Sequence, residues 1–166
     1  MEIRKTTIED LDTINEIYAY AREFMKKTGN PNQWRDDKPL LSDILTDIEK
    51  GNSYVVLENG EIAGVFAFIM GEDPTYGYIE DGSWLNDEPY GTIHRIASGG
   101  KYSGVFDAAV DFALTLRDNI RIDTHHDNKV MQHLVSRKGF SRCGIIYLLN
   151  GEPRIAYQLC REKKQI

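Results

Sequence analysis

Lys101-Tyr102-Ser103-Gly104-Val105-Phe106 is the segment of this chain best suited to hold a charged ligand. Tyr90 to Ala97, just before it, is apolar-rich and reads as a strand. After it Val105, Ala108, Ala109, Phe112, Ala113 and Leu116 recur at helical spacing. A glycine-containing turn between strand and helix leaves backbone N–H groups free at the helix N-terminus. With the helix dipole, those groups favour a phosphate or pyrophosphate. Four side chains on the approach to the turn can move protons. An imidazole with its ordinary pKa of about 6.5 suits proton transfer near neutrality, which singles out His94. In a regular strand His94 shares a sheet face with Ile96, two residues on, and with Thr92 and Tyr90. Tyr90, Glu88 and Asp87 stand at the strand's start, where a base acting through water could lie. The alternatives are a histidine satisfied within the sheet and solvated surface carboxylates.

Other reactive groups give weaker patterns. Trp34, Tyr76, Tyr78 and Trp84 fall in loops before that strand. Loop aromatics can wall a pocket and hold a cationic amine over a ring face, or they can plug a loop onto the core. Trp84, between Gly82 and Asn86, has little local helix or strand to pack against, which favours the pocket. His125, His126, Asp127 and His133 do not make a convincing metal set. Neighbouring histidines on an extended chain point to opposite faces, and no Cys or second His at helical i, i+4 spacing completes a tetrahedron. No metal is expected, and Asp127 reads as a helix N-cap. Cys143 and Cys160 would face each other across a last hairpin symmetric about Gly151-Glu152. Two cysteines do not form a disulfide framework, and reduced thiols are expected.

The elements that must position these groups follow from periodicity and punctuation. Glu2–Thr6 is a short strand, and Thr7 reads as the N-cap of a helix striped by Leu11, Ile14, Tyr18, Ala21 and Met25. Gly29-Asn30-Pro31-Asn32 breaks that helix. A second helix carries Leu41, Ile44, Leu45 and Ile48 and stops at Gly51. Tyr54–Glu58 and Glu61–Met70 are strands joined by Asn59-Gly60, a strong hairpin signal. A loop over 71–89 precedes the strand Tyr90–Ala97, the glycine turn and the third helix. Then come a strand Ile120–Thr124, a helix Asn128–Lys138 closed by Gly139, and strands Phe140–Leu149 and Arg154–Cys160.

The order β-α-α-β-β-β-α-β-α-β-β predicts an α/β (mixed α+β) fold: one central mixed sheet of about seven strands with helices on both faces. A chain of 166 residues fits a single domain over 1–166. A net charge of −6 argues against a general nucleic-acid binder. No apolar run reaches membrane-spanning length, and the N-terminus lacks the apolar core of a signal peptide. A cytoplasmic protein is expected. An edge strand at the C-terminus could pair with a second copy, giving a homodimer.

This order, with Lys101-x-x-Gly104-x-Phe106 after the fourth strand, resembles the GNAT superfamily of N-acetyltransferases, whose signature there is Gln/Arg-x-x-Gly-x-Gly/Ala. The run Asn128-x-x-x-x-x-Leu134 leading to Lys138-Gly139-Phe140 is similar to the family's second block. The resemblance covers nearly the whole chain. It implies acetyl-CoA as cofactor and a primary amine of a small molecule or peptide as acceptor, and direct attack of that amine on the thioester in a ternary complex is expected. It implies that Ile96, Ala97 and Ser98 hold the pantetheine arm. Lys101, Tyr102, Ser103, Gly104, Val105, Phe106 and Asp107 would hold the pyrophosphate, and Asn128 would reach the pantetheine. Lys101 keeps the positive charge of the usual Gln or Arg position. Phe106 stands where the family keeps a small residue, and either points into the core or obstructs the cofactor. Val135 stands where many members carry a tyrosine that protonates the leaving thiolate. These last two departures leave open a second reading, a non-catalytic CoA-binding or ligand-sensing module on the same fold.

Overall fold

The computed structural model describes residues 1–161. Its elements are β1 (Glu2–Lys5), α1 (Leu11–Lys27), α2 (Leu41–Glu49), β2 (Ser53–Glu58), β3 (Glu61–Met70), β4 (Gly91–Ser98), α3 (Val105–Leu116), β5 (Asn119–Thr124), α4 (Lys129–Lys138), β6 (Ser141–Tyr147) and β7 (Pro153–Cys160). They form a seven-stranded sheet in the order β1-β2-β3-β4-β5-β7-β6. The β4–β5 pair is parallel, with α3 as its crossover, and the other pairs are antiparallel. Strand alternation sorts the core into two layers. Val56, Phe66, Phe68, Ile93, Ile120 and Ile122 pack with α3 and α4, whereas Val55, Val65 and Ala97 pack with α1 and α2. Tyr76, Tyr90, Ile146 and Ala156 form a third cluster beneath the long loop before β4. Among the described residues no helix is long and apolar enough to cross a membrane.

Two irregularities of β4 create the space that matters. Its pairing with β5 is limited to Gly91↔Ile120 and Thr92↔Arg121, and beyond these residues the strands separate. On its other side, Val65 aligns with Ala97 while Ala67 aligns with His94, so β4 carries one extra residue. Arg95 takes up that excess with φ 50°. The bulge overturns the expected alternation. Ile96 packs with Ile93 into the α3 layer, while His94 and Arg95 both find partners on the opposite side, in Asp73 and in Asp47 of α2. His94 and Ile96 therefore do not share a face.

Three further expectations change. The C-terminal strand β7 is an inner strand, between β5 and β6, and the edge is β6. Loop residue Glu80 covers part of that edge through two backbone hydrogen bonds with Ile145, each 2.8 Å. Edge pairing through the last strand is thus unavailable. Cys143 lies at a bulge of β6 and Cys160 aligns with Asn119 of β5, so the two free thiols do not face each other. The N-cap of α4 is Asn128 rather than Asp127, because Asn128 Oδ1 accepts from Met131 N–H at 3.0 Å.

Candidate active site

The glycine turn does form an open helix N-terminus. Gly104 caps α3 at φ 92°, a left-handed conformation that side chains resist, and no side chain caps the helix. Ala108 N–H bonds to Gly104 O as the first helical bond. The N–H groups of Val105, Phe106 and Asp107 thus form the first turn, where an anion is favoured. A groove leads from this turn between α1 and α4. Ile96, Ala97 and Ser98 line it from β4, Tyr20, Phe24 and Met25 from α1, and Asn128, Met131 and Leu134 from the α4 side. Most of that lining is apolar, which suits a flexible arm carrying few charges.

The groove runs into a second cleft of about 440 Å³ where β4 and β5 separate. Met25, Ile96, Asn128 and Met131 line both spaces and mark their junction. Past the junction the cleft is charged but balanced: Arg35, Lys38, Arg95 and Arg154 face Asp37, Asp43, Asp123 and Glu152. Trp34 walls it with its ring edge-on to Tyr18, centroids 5.7 Å apart.

His94 lines this cleft, and its Nε2 lies 3.0 Å from Asp73 Oδ2. Burial would push the Asp73 carboxyl up. Hydrogen bonds from His94 and from the hydroxyl and N–H of Thr75 outweigh that and hold it at about 2. Near neutral pH Asp73 is a carboxylate and can only accept. Nε2 of His94 therefore carries the proton, and Nδ1 of the neutral ring keeps its lone pair. Asp123, across the opening on β5, accepts from Tyr76 Oη at 2.6 Å. Burial first, then Asp123, pushes the Tyr76 phenol far above its ordinary pKa, so it stays a donor.

Known structures of this shape decide the family. A GNAT-family acetyltransferase from Streptococcus agalactiae 2603 is 32% identical, matches 98% of this chain and 96% of its own, and superposes with a TM-score of 0.87. This chain belongs to the GNAT family of acetyltransferases. A Staphylococcus aureus Mu50 protein provisionally assigned as an acetyltransferase is 28% identical over 96% of this chain and 99% of its own, TM-score 0.68. A ribosomal-protein-alanine N-acetyltransferase from Brucella melitensis shares the fold at 16% identity, TM-score 0.64, over 96% and 99%. No family model and no curated protein matches the sequence.

Against the GNAT pattern, each departure has a definite place. The Phe106 side chain is 6% exposed and packs in the core, its ring 6.2 Å from Phe140. It is turned into the helix–sheet layer and does not plug the turn, which removes one of the two motives for a non-catalytic module. Lys101 is outside the groove lining, with its ammonium 2.7 Å from Glu61 Oε2. The cation at the groove is Arg137 of α4, bonded to both oxygens of Asp107 at 3.1 and 3.0 Å. Val135 is fully buried in the α3–α4 layer. Among the described residues no tyrosine lines the second cleft.

Of the proton-transfer candidates, the structure brings only His94 to the cleft. Tyr90 is buried, its hydroxyl accepts from Asp73 N–H at 2.8 Å, and its ring lies 3.9 Å from the Arg121 guanidinium. Glu88 sits at the opposite end of β4, in a separate surface hollow with Arg117. Both are removed from the opening because the strands part only beyond Thr92. Of the loop aromatics, Trp34 alone reaches the cleft. Tyr76 is buried, Trp84 stacks on Arg121 at 4.0 Å and donates to Tyr76 O, and Tyr78 is 64% exposed beside Tyr147. Trp84 thus packs on a buried guanidinium, a partner that local sequence does not reveal.

The histidines after β5 also behave unexpectedly. His125 and His126 stack at 4.2 Å instead of diverging, and their donor atoms lie within 4.8 Å of Asp127. His125 Nδ1 already accepts from Asp127 N–H at 3.0 Å, and burial, then Arg154, holds its pKa down. Sequence reasoning missed Asp73, Asp123 and the α1 side of the groove. Asp73 carried one signal, an Asp-Pro step typical of a turn start.

Proposed function

We propose that this acetyltransferase moves an acetyl group from acetyl-CoA to a primary amine of a small molecule or peptide, by direct attack in a ternary complex. The observation that carries the reading is the continuity of the two clefts at the separation of β4 from β5, with His94 on the acceptor side of the junction. The open first turn of α3, freed of the Phe106 ring, fits a pyrophosphate, and the apolar groove fits a pantetheine arm. Bound acetyl-CoA supplies the thioester.

The chain's own groups supply the rest. An ammonium near its ordinary pKa of about 10 has no free lone pair. The balanced cleft admits a cation beside Asp123, and His94 Nδ1 takes its proton. Asp73 holds the imidazole by Nε2–H and so keeps Nδ1 as the atom that takes the proton. As the new C–N bond forms the C–S bond breaks, and the proton on His94 is available for return to the sulfur side or to solvent. Neither cysteine lines the cleft, so no side-chain acyl carrier is provided.

The test is thermal melting with acetyl-CoA followed by thiol release across a panel of diamines, amino acids and short peptides. Acetyl-CoA raises the melting temperature by binding the folded state, and one amine class releases CoA thiol. His94→Ala lowers that release by about 100-fold or more and leaves the CoA-induced shift intact. Absence of both shift and release from the wild-type protein would sink the proposal.

A further inference from the structure

Gln33 sits in the loop between α1 and α2 and lines the cleft at the opening of β4 from β5. Its Oε1 accepts three hydrogen bonds: from Asn30 Nδ2 at 2.8 Å, Asn128 Nδ2 at 2.9 Å and Thr124 Oγ1 at 3.4 Å. The orientation of this carboxamide is fixed by a chain of obligations. Asn128 Oδ1 is committed to Met131 N–H at the start of α4, so Asn128 must present its NH₂ to Gln33. Gln33 must meet that donor with oxygen, since two NH₂ groups cannot bond each other. Its own Nε2 is thereby left facing away from this cluster, with no acceptor among the described residues.

The location is as restricted as the orientation. Asn128 lines both the cofactor groove and the acceptor cleft. The amide nitrogen of Gln33 is on the same carbon as the oxygen that Asn128 holds, so it lies beside Asn128 on the cleft that Gln33 lines. Two of the anchors belong to the rigid end of β5 and the cap of α4, and the third belongs to the loop itself. The donor is thus held in place before any ligand arrives, the condition under which a hydrogen bond discriminates best.

We infer that Gln33 is an acyl-recognition residue whose Nε2–H donates to the carbonyl oxygen of the transferred acyl group, with Asn128 as its positioning residue. This rests on the acetyl-CoA reading given above. The carbonyl is the feature that acetyl-CoA has at this junction and CoA lacks. Gln33 therefore separates the two ligands, and the separation is measurable without any acceptor amine.

The experiment is calorimetric titration of CoA and acetyl-CoA into the wild-type protein, Gln33→Glu and Gln33→Met. Glu keeps an oxygen for Asn128, Thr124 and Asn30 but replaces the donor by an acceptor. Met removes both ends without adding charge. The preference for acetyl-CoA over CoA, taken as the ratio of dissociation constants, is expected to fall about 3- to 10-fold in both variants, the range of one net hydrogen bond. The extra charge of Gln33→Glu acts on both ligands and cancels in the ratio, and circular dichroism with melting verifies that each variant is folded. If CoA binds and the ratio is unchanged in both variants, the Gln33 assignment is overturned while the cofactor reading stands. If CoA does not bind the wild-type protein, both fall together.

Discussion

Arg95 and Asp47 meet through two hydrogen bonds of 2.7 Å each, and this contact ties the bulge of β4 to α2. The side chains are 24% and 9% exposed. Tyr18 Oη donates to Arg95 O at 2.8 Å from α1, so both helices of that layer grip one residue with a positive φ. Burial would lower the Arg95 pKa, but the Asp47 carboxylate outweighs it and raises it. The pair and Tyr18 hold the bulge that separates His94 from Ile96.

Removing Asp47 strands a largely buried guanidinium. Asp47→Ala is expected to lower unfolding free energy by about 2–4 kcal/mol, read from denaturant midpoints. Arg95→Ala in the same background should restore part of that loss, since no unpaired charge remains. A double variant less stable than Asp47→Ala alone would show that the pair is not the source.

Acid stability follows from two carboxylates. Asp73 and Asp10 are both held at about 2, Asp10 chiefly by hydrogen bonds from Arg4 against the effect of burial. Their folded pKa values lie below the unfolded value of about 3.9. Each therefore stabilises fully above pH 4, and the contribution fades as pH falls from 4 towards 2. A shift of this size corresponds to about 2 kcal/mol per group. Asp73→Asn and Asp10→Asn should each flatten the loss of stability across that window, measured by urea unfolding at a series of pH values. An unchanged slope in both variants contradicts the linkage.

Much of this architecture is legible in the sequence because it rests on local signals. The Asn59-Gly60 hairpin, the apolar stripe of α1 and the glycine at the end of α4 specify their elements without help from distant residues. What escaped depends on register. Nothing in Ile93-His94-Arg95-Ile96 announces an extra residue, because the bulge is set by Asp47, 48 positions away, and by Tyr18. The expected shared face of His94 and Ile96 is therefore lost, and local sequence does not reveal Asp73 as the partner of the histidine. Trp84 and Tyr76 read as pocket walls for the same reason: their true partners, Arg121 and Asp123, lie on β5. Gln33 gave no signal, being a polar residue in a polar loop until the fold brings Asn128 and Thr124 against it.

Phe106 offers a sharp contrast between the family's pattern and this chain's packing. Its ring fills space between α3 and Phe140. Phe106→Ala is expected to cost about 3–4 kcal/mol through lost burial and the cavity left behind, with no gain in CoA affinity. Tighter CoA binding by the variant, in calorimetry at a temperature where it is folded, would mean that the ring does intrude on the turn.

Gly104 allows stability and binding to be separated at one atom. A Cβ placed there meets nothing closer than the flexible end of Met1, at 3.9 Å, so the objection to a side chain is the φ of 92° and not space. Gly104→Ala should cost about 1 kcal/mol in stability. Gly104→Asp carries the same strain, but its carboxylate faces the positive end of α3, worth about 0.3–1 kcal/mol in return. Asp should thus be at least as stable as Ala in denaturant unfolding. Its charge then occupies the place where a pyrophosphate would lie, and CoA affinity should fall at least about 10-fold below that of Gly104→Ala, since losing one charged contact costs about 1.5–3 kcal/mol. The opposite ordering in stability, or equal CoA affinities in the two variants, would place the anion elsewhere than the first turn of α3.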